Sequence, residues 1–299
     1  MWWTKPWTLK EGFLIGGGII TTGLALQLSA GPVVWDAFSW PANGIGMALF
    51  LAIILLMFLF RNQVYAFRYL STNQAAIPAM SYAVLLTIVM GLTRQEVHGT
   101  WLNAMLSFWP FVLTYVYLAV VLGLVILRRL SLIVTHKSPN SMFHDLAFML
   151  NHLGLFIALT TATLGNADMQ RVKMMTTVGQ PEWRALRPDG TVKEMTVAIV
   201  LRKFIMETYS DGSPKRFASN IHVMTKSGLA VDTIVDVNKP YEVNGWKIYQ
   251  YGYDTQMGPH SQMSILELVR DPWLPLVYTG IYMMLAGAVC MFIFGGRKI

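Results

Sequence analysis

The sequence predicts an α-helical integral membrane protein of six transmembrane helices with an extracytoplasmic β-rich domain inserted before the last helix. Three observations carry this. The 299 residues combine a mean hydropathy of +0.46 with only 13% charged side chains. The charges are missing from six long stretches, 12–35, 37–60, 69–93, 99–127, 146–167 and 272–296. Between the fifth and sixth of these lies a polar segment whose apolar residues alternate.

Each uncharged stretch exceeds the roughly 20 residues that a helix needs to cross about 30 Å of hydrocarbon. Lipid offers no partner to backbone amides and carbonyls, so helices, which satisfy them internally, are the expected form. The spans are placed near 12–30, 43–60, 75–92, 108–127, 145–165 and 273–294. The run after Lys5 is longer than the core of a cleavable leader and five more spans follow, so the first helix is expected to be retained. Trp2, Trp3, Trp7, Trp35, Trp40, Trp101, Trp109 and Trp273 fall near the span ends, as interfacial aromatic residues do.

The net charge of +7 is distributed unevenly. Lys5, Lys10, Arg61, Arg68, Arg128, Arg129, Lys137, Arg297 and Lys298 lie in segments on one side, whereas the short loops on the other carry Arg94 alone. Under the positive-inside rule both termini are cytoplasmic and the inserted domain is extracytoplasmic. That domain holds thirteen Lys/Arg against eleven Asp/Glu, so the excess positive charge orients the chain and gives no sign of a nucleic-acid partner. The expected division is a five-helix membrane domain over 1–165, a β-rich domain over 166–270 and a terminal helix within 271–299.

In the inserted domain, Val231, Thr233, Val235 and Val237 share one face of a strand over 230–237, with Asp232 and Asp236 on the other. Residues 219–225 and 245–251 are further strands, the latter alternating Trp246 and Ile248 with Lys247 and Tyr249. Asp189-Gly190, Asp211-Gly212 and Asn244-Gly245 are turn signals, and a β-sandwich is the expected arrangement.

The single cysteine, Cys290, excludes an internal disulfide, a paired-thiol redox site and covalent haem attachment through a CxxCH motif of this chain. No HExxH, phosphate-binding glycine loop or GxSxG elbow occurs. The histidines are therefore the main chemical inventory. His152 lies inside a span, eight residues or about 12 Å of helix beyond His144. Ionisable side chains at that depth tend to face a bundle interior or a cavity. Two readings of His152 stay open: a neutral imidazole bonded to a neighbouring helix, or an axial ligand of haem iron. His144, at the helix entry beside Asp145, and His98, in an outer loop before Trp101, are lesser candidates, each with a solvated helix-end or interfacial reading beside it. His136, His222 and His260 receive no role.

Several motifs in the second half resemble the ResB/CcsB family of cytochrome c biogenesis proteins. They are Phe204-Ile-Met-Glu-Thr-Tyr-Ser-Asp-Gly-Ser-Pro-Lys215 with Phe217-Ala-Ser219, Val237-Asn-Lys-Pro240, Asn244-Gly-Trp-Lys-Ile-Tyr-Gln250 with Tyr253, Asp271-Pro272, and Asn151-His152-Leu153-Gly154. The resemblance covers about 143–296 and implies the System II pathway. There a CcsB-type chain joins a CcsA-type partner to carry haem b outward for attachment to apocytochrome c. It implies that His152 is the family's transmembrane haem ligand, that the haem is transient and shared, and that any haem-lyase activity belongs to a synthase complex and not to this chain alone. The partner's tryptophan-rich WWD segment is not found here. The chain also departs from the family's usual four helices, having five expected before the inserted domain, and the pair over 75–127 inherits no family residue. A bacterial cytoplasmic membrane is the implied location. The alternatives are a quinol-oxidising b-type cytochrome subunit, or a scaffold for the partner that does not touch haem.

Overall fold

The computed structural model describes residues 3–96, 99, 101–138 and 142–294. Six helices among them are long and apolar enough to cross a membrane. They are α1 (Leu9–Ala30), α2 (Ala42–Leu59), α4 (Asn73–Leu92), α5 (Trp109–Val134), α6 (Met142–Gly165) and α7 (Leu274–Phe294), with a short α3 (Tyr65–Leu70) between the second and third. The chain forms two compact units, residues 1–167 with 273–299, and residues 168–272.

Local chemistry sets the helix ends. Thr8 and Glu11 form a reciprocal capping box that satisfies two of the orphan amides opening α1. Gly31 closes α1 with φ 74°, a conformation that a side chain would strain. In α4, Pro78 cannot donate to the carbonyl of Gln74. The Tyr69 hydroxyl takes that place, reaching Gln74 O at 3.0 Å and Thr8 O at 2.8 Å. One phenol thus repairs the proline site and ties α3 to the starts of α1 and α4.

At the opposite end of the bundle, Trp35 Nε1 donates to Leu106 O and Trp109 Nε1 to Gly31 O. Asn43, fully buried, donates to Leu164 O and pins α2 to α6. Trp2, one of the expected interfacial tryptophans, lies outside the described residues.

Helix α5 is the hub. It packs on α1, α2, α4 and α6, and about half of its apolar window (56%) is buried, against 11% for α2 and for α7. Helices α6 and α7 make the closest pair. A Cβ added at Gly154 would stand 2.6 Å from Gly280 O, and one at Gly280 would stand 2.5 Å from Gly154 O. Two glycines therefore let two backbones meet, a common solution between membrane helices.

The second unit is β-rich: β1 (Gln170–Thr177), β2 (Pro181–Leu186), β3 (Val192–Thr208), β4 (Pro214–Thr225), β5 (Ala230–Asp236), β6 (Tyr241–Val243), β7 (Trp246–Tyr253) and β8 (Met263–Arg270). They form one antiparallel sheet in the order β5-β4-β3-β2-β1-β8-β7-β6. The expected sandwich differs in detail. A single sheet curls until its edge strands β5 and β6 touch and β4 faces β7, so one continuous layer encloses the core. Met174, Ile199, Leu201, Ile221, Val223, Ile248, Leu266 and Leu268 fill it.

A polar thread runs through this core. Ser219 Oγ donates to Gln250 Oε1 at 2.6 Å, and Ser264 Oγ reaches the same oxygen at 3.0 Å. Asn244 and Gly245 both have positive φ, as the tight β6–β7 hairpin requires. Val231, Thr233 and Val235 point inward as their alternation suggests, but Val237 lies past the end of β5 and is exposed, because the strand stops at Asp236.

Candidate functional site

His152 lies near the middle of α6, partly buried. Its Nδ1 is 2.9 Å from the carbonyl oxygen of Phe148, one turn earlier on the same helix. A carbonyl oxygen can only accept, so Nδ1 carries the proton and the neutral ring keeps its lone pair at Nε2. The tautomer is thus inferred from the hydrogen bond. No described residue bonds Nε2. The ring is locked to its own helix and not to a neighbour, which leaves the other nitrogen available as a σ-donor. Backbone carbonyls usually orient metal-binding imidazoles in the same way.

The Phe148 ring stacks on the imidazole, centroids 3.8 Å apart and planes 17° from parallel. Arg129 of α5 sits over Phe148, 5.3 Å from its centroid. Arg129 is in charge contact with Asp145 of α6, without a hydrogen bond between the contacting atoms. Both are largely buried, with 14% and 9% of their side chains exposed. A carboxylate at that depth needs a cation beside it, so Arg129 makes Asp145 tolerable and fixes the α5–α6 register below His152. Further along α6, Phe156 packs against Ile54 and Leu122, and its ring is parallel to that of Phe50.

The other candidates are scattered. His144 is exposed in the first turn of α6. His98 lies outside the described residues. His136, just after α5, lines a cavity of about 630 Å³ with Asp145 and Met149. In the second unit His222 Nδ1 is 2.9 Å from Asp232 Oδ1, and this contact holds the Asp232 carboxyl below its ordinary value. No group of three or more His, Cys, Asp or Glu side chains gathers as a metal site among the described residues. The described chain therefore offers one well-placed imidazole and not a complete ligand set.

Sequence reasoning missed Phe148 and the Arg129–Asp145 contact. Phe148 and His152 stand at i and i+4, the spacing at which helix side chains meet, and that signal was legible. Arg129 reads in sequence only as an orienting charge.

Comparison with known proteins bears on the second half of the chain. Residues 140–260 match the model of the ResB-like family. Over 100 residues the chain is 32% identical to the cytochrome c biogenesis protein CcsB of Prochlorococcus marinus subsp. pastoris, a match covering 33% of this chain. The chain spans only 22% of that relative's length. A solved cytochrome c haem lyase, CcmF, aligns over 84% of this chain and 45% of its own with a TM-score of 0.36 and 12% identity, too weak a likeness to argue from. The family match takes in α6 with His152 and the strands through β7. Residues 140–260 of this membrane chain are thus similar to the ResB-like family, and part of the chain is similar to a cytochrome c biogenesis protein.

Proposed function

We propose that the chain serves cytochrome c biogenesis as a CcsB/ResB-like subunit that, with a CcsA-type partner, carries haem b outward and supports its attachment to apocytochrome c. The observation that carries this reading is the free Nε2 of His152, prepared by the Nδ1–H bond to Phe148 O. The donor fits: haem iron takes a neutral imidazole nitrogen as an axial ligand. Bound haem would supply the cargo and an iron centre that accepts nitrogen ligands.

His152 would hold the iron through Nε2, and a histidine of the partner would supply a further ligand. Phe148 keeps the ring's tautomer and orientation. The Arg129–Asp145 contact fixes α6 against α5, and the Gly154–Gly280 approach fixes it against α7. His144 is a secondary candidate at the start of α6, and His98 is tested by the same substitution.

In this reading both termini and the arginine-rich helix ends are cytoplasmic, as the positive-inside rule directs. The β-rich unit is then extracytoplasmic, where it would receive apocytochrome c or brace the partner's haem site. A self-contained b-type cytochrome is less favoured, because it needs paired histidines on facing helices. Among the described residues, His152 alone sits deep in a span.

The test is to co-purify the full chain with its CcsA-type neighbour and compare haem content and spectrum for wild type, His152→Ala, His144→Ala and His98→Ala. The His152→Ala complex is expected to lose haem or turn high-spin, with the other two close to wild type. Unchanged haem in His152→Ala refutes the ligand assignment.

A further inference from the structure

We infer that the arginine-lined end of the helix bundle is a binding site for the phosphate of an anionic phospholipid. Two clefts of about 390 and 420 Å³ lie there and share Ser71, Thr72, Arg128 and Leu132 as walls. Arg61 and Arg68 line the second and Arg129 the first, and neither cleft has a carboxylate among its lining residues. Three elements that are distant in sequence, the end of α2, the α3–α4 junction and the last third of α5, thus direct cations to one place.

The ordinary explanation is that arginines at helix ends orient the chain and cover terminal carbonyls. Part of that is seen: Arg61 donates to Phe58 O and Arg128 to Ser71 O. Two further features go beyond it. Arg61, Arg68 and Arg128 have no acidic partner among the described residues, whereas Arg129 does. Helix α4 also opens on the first cleft uncapped. Thr72 Oγ1 donates to Tyr69 O and makes no cap bond to the helix, and the amides of Asn73 and Gln74 find no acceptor among the described residues. Free amides at the positive end of a 20-residue helix, beside the Arg128 guanidinium, which has no carboxylate partner among the described residues, and two hydroxyl residues, are the donor set that a phosphate needs.

The setting selects a lipid over a soluble ion. Val125 lines the same cleft about one turn to the membrane side of Arg128 and Arg129, so a headgroup bound there leaves its acyl chains against apolar helix surface. Basic clefts between membrane helices recognise lipid headgroups in this way.

The full chain, purified in uncharged detergent, is titrated with phosphatidylglycerol, phosphatidylcholine or inorganic phosphate, and bound lipid is counted by native mass spectrometry. Phosphatidylglycerol is expected to bind and phosphatidylcholine not. Arg128→Gln and Arg68→Gln should each weaken phosphatidylglycerol by roughly fivefold, the factor expected for one basic residue at an anionic surface. Arg68 is exposed and makes no side-chain bond among the described residues, so its variant tests the site even if Arg128→Gln misfolds. Arg94→Gln, at the other end of the helices, should bind as wild type. Equal binding by Arg68→Gln and wild type, or equal weakening by Arg94→Gln, overturns the site. Displacement of the lipid by inorganic phosphate at matched concentration overturns the lipid as the ligand.

Discussion

Replacing Gly280 by alanine tests how α6, and His152 with it, is held. The new Cβ would stand 2.5 Å from Gly154 O, 2.7 Å from Ala158 N and 2.9 Å from Ala158 Cβ. The two nearest atoms are backbone, which no rotamer change relieves. Ordinary contact begins near 3.4 Å, so α7 must retreat from α6 by about 0.9 Å. A gap of that size along the seam forfeits a quarter to a half of each close contact's attraction. Overpacking of this kind costs about 1–3 kcal/mol. With roughly 2–4 °C of melting shift per kcal/mol in a chain of this size, the helical melting midpoint should fall by roughly 2–12 °C. The measurement is thermal unfolding of the full chain in detergent, followed by the helical circular dichroism signal. Gly18→Ala is the matched control. Gly18 lies in α1 with nothing within 4 Å of an added Cβ, so the same substitution should be neutral or stabilising by up to about 1 kcal/mol. If the two variants melt alike, close backbone approach does not seat α6.

In the β-rich unit, Ile248→Ala removes a fully buried side chain facing Trp246 and Leu268 in the core, and about 2–5 kcal/mol of stability should go with it. Denaturant unfolding of the full chain followed by tryptophan emission checks this; a loss under about 1 kcal/mol contradicts the packing described. Asp236 is bonded through both oxygens to Arg216, which holds its carboxyl below the ordinary value. A folded-state pKa below the unfolded one means that the contribution is present above about pH 4 and is lost as pH falls through the folded value. The Asp236 contribution should therefore be constant between neutrality and about pH 5 and be lost below about 4, and Asp236→Asn should make the acid limb of the β unit shallower. An unchanged limb in the variant refutes the assignment.

The spans were legible because lipid leaves the backbone one economical form and forbids charge. The uncharged stretches therefore mark α1, α2, α4, α5, α6 and α7 within a few residues, α5 excepted, which runs on to Val134 through Arg128 and Arg129. Helix α3 left no such mark. It has six residues, and its reason for existing is tertiary, the Tyr69 hydroxyl shared between Thr8 and Gln74. In the β unit the Asn244-Gly245 turn and the alternation in β7 were readable. Strand β3 was not, since Ile199, Val200 and Leu201 are buried consecutively and alternation vanishes. At the site, the residue type and depth of His152 came from sequence alone. The tautomer did not, because it depends on which nitrogen meets Phe148 O. Nor did the gathering of Arg61, Arg68 and Arg128, which only the folded path of α2 to α5 brings to one place.

The most direct measurement of haem ligation is the absorption spectrum of the co-purified complex carrying His152→Gly, recorded before and after free imidazole is added. If Nε2 of His152 is the ligand, the variant is high-spin or haem-poor, and imidazole filling the vacated space restores the low-spin spectrum of the wild type. A low-spin spectrum in the variant without imidazole would mean that the iron takes its ligand elsewhere, and the proposed role of α6 would fall with it.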